Sequence, residues 1–265
     1  MGAITGQGQS FNLPNYVGEL FNVSPTDTPL LSAIGGMTGG ISVSSKQFTW
    51  QTTDLAGATQ TAVVEGADPT MKGRTRSEVS NVTQIMQYGV EVSYTKQAAV
   101  GNIAGESIIG NQPVQDELAF QLDMAMKTAA RDIEHSFIQG AYNAGANITT
   151  PRKTRGMLAA VTTNEVAGGA AALTQAKVES ALKKMADSGA PFEMPVIFAN
   201  AFQKQKLSSI YSSALALAPR DRNIGGVNIT TIETDFGQVG IVFERHIPAD
   251  DVLIADLAFM KPVFL

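Results

Sequence analysis

Cysteine is absent from the 265-residue chain, which excludes disulfides and any metal held by thiolates. Histidine is nearly absent. His135 and His246 are the only two, too few for a His-rich metal site. No apolar run approaches the ~20 residues that a membrane-spanning helix needs. Charge is sparse, at 16% of residues, and its distribution is uneven. The first 45 residues carry only Glu19 and Asp27, with no Lys or Arg. Such a segment lacks the basic and continuous apolar regions of a secretory signal. It is polar, Gly-rich and unable to bury a core of its own, so it reads as an arm that lies on another surface. A net charge of −5 argues against a general nucleic-acid-binding face. What remains is ordinary globular material: 44% hydrophobic residues, enough for one large domain or two modest ones.

Thr28 to Gly35 reads as a short helix. Thr28 suits the N-cap, Pro29 sits where a missing N–H costs nothing, and Gly35 can leave in a left-handed conformation. Lys46–Thr53 alternates, with Phe48 and Trp50 sharing a face, as a half-buried strand does. Val82–Thr95 alternates for longer, with Met86, Tyr88, Val90, Val92 and Tyr94 together. About 28 residues separate these two expected strands, and an insertion of that length is usually functional or disordered. Its part from 65 to 78 holds six charges in fourteen positions.

Pro113–Asn143 carries the strongest helical pattern. Leu118, Leu122, Ala125, Met126, Ala129, Ile133 and Phe137 fall at helical spacing. Asp116, Glu117, Asp123, Lys127, Arg131 and Glu134 are assigned to the other face. Pro113 suits the first turn and Gly145 the exit. About 30 residues at 1.5 Å each give a rod of about 45 Å, with one apolar stripe to lay across a sheet. Beyond it the pattern is compact α/β. Thr174 caps a helix to Asp187, with Leu173 and Val178 as a hydrophobic staple. Pro195–Ala199 is a short buried strand, and Asn200 with Gln203 opens a helix to about Ser212. Val227–Glu233, Gln238–Glu244 and Asp251–Asp256 read as strands.

Motifs for chemistry are missing. Asp235-Phe236-Gly237 matches a kinase tripeptide, but no catalytic loop or phosphate loop accompanies it, so it reads as a turn between strands. Gly6-Gln7-Gly8 precedes any strand and is no dinucleotide fingerprint. His135 reads as a surface or capping residue and His246 as a hydrogen-bonded loop residue. Asp250-Asp251 reads as a solvated turn rather than a cation site. No catalytic, cofactor-binding or metal-binding residue is assigned. Two basic clusters stand out: Lys72, Arg74 and Arg76 in the insertion, and Arg152, Lys153 and Arg155 after the long helix. Each fits a solvated loop, a phosphate contact without interleaved aromatics, or ion pairing between subunits.

The order of arm, strand, long excursion, returning strand, long helix and compact α/β resembles the Hong Kong 97-like major capsid proteins of tailed bacteriophages. Thr28-Pro29-Leu30-Leu31-Ser32-Ala33-Ile34 looks like the arm helix of one large phage capsid family. Gln47-Phe48-Thr49-Trp50-Gln51-Thr52-Thr53-Asp54 looks like its first extended-loop strand, and Arg155-Gly156-Met157-Leu158 like the segment after its spine helix. The resemblance implies an α+β capsid fold. It places an N-terminal arm at 1–45, an extended loop at 46–95, a peripheral domain at 96–157 with a spine helix at 113–143, and an axial domain at 158–265. In that family a strand usually continues past the position of Leu265 and returns to the peripheral sheet.

The function so implied is a non-enzymatic major capsid protein. Pentamers and hexamers of it would form an icosahedral shell around double-stranded DNA without sequence-specific contact. Portal, scaffold or decoration proteins are the further partners, no membrane or cofactor is expected, and the place is the virion, assembled in the host cytoplasm. Under this reading the six basic residues at 72, 74, 76, 152, 153 and 155 are inter-subunit contacts. The alternatives are a soluble α/β enzyme using carboxylates, which would show sharp small-molecule affinity as a monomer, and an encapsulin-like compartment shell, which would hold a cargo enzyme.

Overall fold

In a computed structural model of the chain, the structure describes residues 24–95, 117–214 and 230–265. The chain divides into two compact units. One comprises residues 1–27 and 86–131, the other Thr28–Ile85 and Asp132–Leu265.

The second unit is built on a four-stranded sheet. Its strands are β4 (Pro195–Ala199), β5 (Thr231–Thr234), β6 (Gly237–Phe243) and β7 (Val252–Asp256), in the order β5-β6-β4-β7. The β6–β4 pair is parallel and the two outer pairs are antiparallel. β4 is central and short, with four of its five residues buried. Its side chains alternate between two cores, as the two-residue period of a strand requires. Ile197 and Ala199 join Val178 and Leu182 of helix α4 (Gln175–Asp187) and Leu207 and Tyr211 of helix α5 (Ala201–Ala214). Phe198 points the other way, to Leu30 of helix α1 (Pro29–Ala33), Ile138 of helix α2 (Glu117–Gln139), Ile247, Leu253 and Ala255. The sheet is therefore covered on both faces.

Several expectations hold. Pro29 is the first residue of α1, and Gly35 has φ +117°. Leu173 packs against the core that holds buried Val178 at the start of α4, although the Thr174 side chain expected to cap that helix makes no capping hydrogen bond. The Gln203 N–H donates to Asn200 Oδ1 at 2.9 Å. Asp235 and Phe236 form a two-residue turn between β5 and β6, with Gly237 at φ +115°. His246 is hydrogen-bonded in its loop, and Asp250 and Asp251 are exposed. Residues 113–116 and 227–229 of the expected helix and strand lie outside the described residues, as do Gly6–Gly8.

Three expectations are corrected. The strand returning to β2 (Gln47–Thr53) is β3 (Arg76–Val82), not Val82–Thr95. The antiparallel register pairs Thr53 with Arg76 and Gln47 with Val82. Backbone pairing with β2 decides the strand here, and the alternation beyond Val82 has no partner strand among the described residues. α2 ends at Gln139 rather than Asn143, because Gly140 lies against Gly156. A Cβ on Gly156 would sit 2.7 Å from Ile138 O, and one on Gly140 would sit 2.6 Å from Thr154 O. Gly145, at φ +73°, turns the chain beyond the helix instead of ending it. The apolar stripe of α2 is not buried along its length either. Leu122 and Met126 are each 54% exposed, whereas Ile138 is fully buried.

β1 (Ile41–Ser42) pairs in parallel with β8 (Val263–Phe264), so the last strand returns beside the segment after α1. Helix α3 (Met157–Ala160) follows the Gly140–Gly156 crossing and packs against the α1 side of the sheet.

Phe198 at 1% exposure and Leu122 at 54% make a contrast that can be measured. Phe198→Ala is expected to cost ~3–5 kcal/mol through lost burial plus a cavity. Leu122→Ala should shift the urea-unfolding free energy of the isolated chain by less than ~1 kcal/mol, because half of that side chain already meets water. Gly156→Ala should destabilise without changing any side-chain contact, since its added methyl would meet main chain rather than a movable side chain.

Candidate functional site

Two features carry the chemistry and geometry of this subunit: a carboxyl pair buried in the core, and an exposed strand ribbon clamped at its base.

Thr28 does not cap α1 with its side chain. The acceptors come from more than a hundred residues away. The N–H groups of Leu30 and Leu31 donate to Oε1 and Oε2 of Glu134, at 2.8 and 2.7 Å. These are donors of the first turn, which have no partner inside the helix. Glu134 is fully buried, as is Glu244, which follows β6. Glu244 is fixed from its own side. Its N–H donates to Ala199 O at 2.9 Å, and its Oε1 accepts from the His246 N–H at 3.0 Å and lies 2.8 Å from His246 Nδ1. His246 in turn meets His135 edge-on, with ring centroids 5.8 Å apart, and its carbonyl accepts from Gln139 Nε2.

The carboxyl groups of Glu134 and Glu244 adjoin. Two ionised carboxylates cannot hydrogen-bond each other, and no group among the described residues donates to Glu244 Oε2. One proton between them resolves both problems. Burial first, and then the hydrogen bond to Glu244 with its negative charge, push the Glu134 carboxyl up to about 8 from 4.5, against the pull of the Leu31 and Leu30 N–H groups. A proton shared by two carboxyls is also the equipment of an acid–base catalyst. Both groups here have no solvent exposure, so no substrate reaches them and the pair is structural.

The ribbon formed by β2 and β3 stands out from the sheet. Every residue from Thr49 to Glu78 is exposed, including Trp50, Leu55, Val63, Val64 and Met71. Its base is held tightly. Asn81 pairs with the Arg155 backbone in both directions, Oδ1 accepting from N–H at 2.9 Å and Nδ2 donating to the carbonyl at 3.3 Å. The Arg155 guanidinium donates to Ser80 O and lies 5.1 Å over the Tyr142 ring. Gln84 Oε1 accepts from the Thr154 N–H at 3.1 Å. Thr83 donates twice to Lys46 O, through N–H at 2.9 Å and Oγ1 at 3.1 Å.

The two basic clusters are thus used differently. Lys72 and Arg74 lie on the exposed loop, and Arg76 opens β3 with its guanidinium 3.2 Å from Gln51 Oε1. Lys153 forms a backbone bridge with Asn143, and the Arg152 side chain lies against Gly145. Arg155 turns inward onto the ribbon's base. Sequence reasoning missed Glu134, Glu244 and Asn81. Glu134 sits one turn before Ile138, and both are buried. Their shared face was the available signal, obscured by assigning every charge to the solvated side. Asn81 gave no signal beyond its place at the end of a strand. Among the described residues no group of three or more His, Cys, Asp or Glu could hold a metal ion.

Residues 3–265 match the family model described as SU10 major capsid protein. The chain belongs to that family. Its fold is similar to that of the cyanophage A-1(L) capsid asymmetric unit, with a TM-score of 0.66 and 17% identity over 96% of this chain and 78% of that one. It is also similar to the capsid structure of cyanophage P-SCSP1u, with a TM-score of 0.54 and 14% identity over 92% and 71% of the two chains. No curated protein matches. The protein is a tailed-phage major capsid protein, a structural component of the virion shell and not an enzyme. The matches favour neither of the alternatives, the carboxylate enzyme and the compartment shell. Its mixed helix-and-strand fold is that of phage capsid subunits, and capsid membership entails self-association.

The raised Glu134 carboxyl sets a pH dependence of known sign. The unfolded chain releases this proton near 4.5 and the folded chain near 8. Between these values the folded state holds the extra proton. The stabilisation is complete below the unfolded value, declines above it and is lost as pH rises through about 8. The urea midpoint should therefore fall from mildly acidic to mildly alkaline pH, and Glu134→Gln should flatten that slope. Glu134→Ala, which strips two buried N–H groups of their acceptors, should cost ~2–4 kcal/mol at neutral pH.

Proposed function

We propose that the subunit has the Hong Kong 97-like arrangement and assembles as pentamers and hexamers into an icosahedral shell that encloses double-stranded DNA. In this arrangement residues 1–45 are the arm, 46–95 the extended loop, 96–157 the peripheral domain with the spine helix, and 158–265 the axial domain. The observation that carries the reading is the ribbon, exposed without interruption from Thr49 to Glu78. A two-stranded ribbon is marginal in water by itself. Large apolar side chains such as Leu55, Val64 and Met71, at 79%, 79% and 88% exposure, mark a surface that another surface covers. A neighbouring copy supplies it.

Charge completes the fit. Lys72, Arg74 and Arg76 alternate along the excursion with Glu65, Asp68 and Glu78 close by in sequence, so they bury only against opposite charges. Arg152 and Lys153 are contacts of the same kind, and Arg155 serves the contact by aiming the ribbon. Packaged DNA needs no specific site: a shell filled after assembly requires no basic arm to neutralise phosphate, and the arm has neither Lys nor Arg before Lys46. Portal, scaffold or decoration proteins are the remaining partners, and assembly takes place in the host cytoplasm before the shell becomes part of the virion.

Light scattering and electron microscopy across salt and crowding conditions are expected to show closed particles or capsomers. Reversing Lys72, Arg74 and Arg76 together to Glu should abolish particles while leaving far-ultraviolet circular dichroism and the melting temperature of the subunit nearly unchanged. Normal shells from that triple variant would remove the ribbon from the contact.

A further inference from the structure

We propose that Glu134 and Glu244 form a proton-held clasp between two parts of the subunit, and that losing the shared proton opens the seam between them. One side of the seam is α1 with the last turns of α2, from Asp132 to Gln139, joined by the bonds from Leu30 and Leu31 to Glu134. The other side is the end of β6 with the loop that follows, joined by the bonds from Glu244 to Ala199 and His246. Each carboxyl is tethered to its own side by main-chain N–H groups. The two carboxyls themselves are joined by a hydrogen bond that exists only while a proton is present, beside the Gln139 bond to the His246 carbonyl.

The surroundings offer no substitute. α1 carries no charged residue, and β4, packed behind the pair, has none. From α2, His135 meets the His246 ring edge-on. From the loop, His246 Nδ1 is committed to Glu244 Oε1, and Arg245 lies over the Phe243 ring. Nothing among the described residues donates to Glu244 Oε2. Without the proton, two buried like charges face each other with that oxygen unsatisfied. They gain most by parting and admitting water. The Gln139 bond to the His246 carbonyl and the Leu30–Ile138–Ile247 core contacts cross the same seam, so they loosen with it. This device lies within one subunit, and it stands or falls independently of the shell geometry proposed above.

The test uses the full chain in solution and two readouts. Infrared titration should show a protonated buried carboxyl at neutral pH that disappears as pH passes about 8. Amide hydrogen exchange, corrected for base-catalysed intrinsic rates, should show Leu30, Leu31 and His246 losing at least ~10-fold protection across that same transition while β4 amides keep theirs. In Glu244→Gln the amide donates to Glu134 whatever the pH. There the infrared midpoint should fall by at least ~1 pH unit, and the protection step should vanish. Absence of the carboxyl band from the native protein at neutral pH would overturn the proposal. So would a band that titrates while the three amides stay protected. Both of these results come from the unsubstituted chain, so they count whether or not the variant folds.

Discussion

The subunit turns on a shortage of donors at one buried point. Leu30 and Leu31 at the start of α1 need acceptors, and Glu134 supplies two from inside the core. Glu244 arrives from the sheet with one oxygen satisfied by His246 and one not. A proton shared between the two carboxyls supplies the one donor that is still lacking. Because an uncompensated buried charge is far more costly than a lost surface contact, this point constrains how α1, the last turns of α2 and β6 can be arranged. A carboxylate that is merely buried would be a defect. Here it is tied to the first turn of one helix by two main-chain bonds and to the sheet by one proton.

The sequence revealed those elements whose evidence is local. Pro195–Ala199 reads as a buried strand because its apolar run is short and bounded, and β4 has those limits. The Asn200–Gln203 cap, the α4 staple and the Asp235–Phe236 turn are decided within four or five residues, and each is present. Where pairing partners lie far apart in sequence, the local pattern misled. Val82–Thr95 alternates more cleanly than Arg76–Val82, yet β2 pairs with the latter. Alternation reports which face a strand could bury, not whether a neighbour is present to bond it.

The carboxyl pair was illegible for a related reason. Glu134 and Glu244 are 110 residues apart in number, and nothing near either announces the other. The period of α2 places Glu134 and Ile138 on one side, one turn apart, but a Glu on a long helix is ordinarily solvated. The burial of Glu134 follows from α1 lying across it, a tertiary fact. The family was legible from short motifs and from the order of elements along the chain, and the family model matches residues 3–265.

The core and the exposed ribbon draw on different residues in this molecule. The two cores on either face of the sheet contain none of the residues from Thr49 to Glu78. Lost contacts in the ribbon therefore leave the sheet intact, and lost packing around Phe198 leaves the ribbon's surface chemistry unchanged. The two halves meet at one place, the base of the ribbon, where Asn81 and Arg155 bind each other's segments and Gly156 presses against Gly140. Neither contact adds much burial. Together they set the direction in which an uncovered ribbon leaves a covered core. The close approach at Gly140 and Gly156 is the stiffer of the two, because it is main chain against main chain and no side-chain rotation can relieve it.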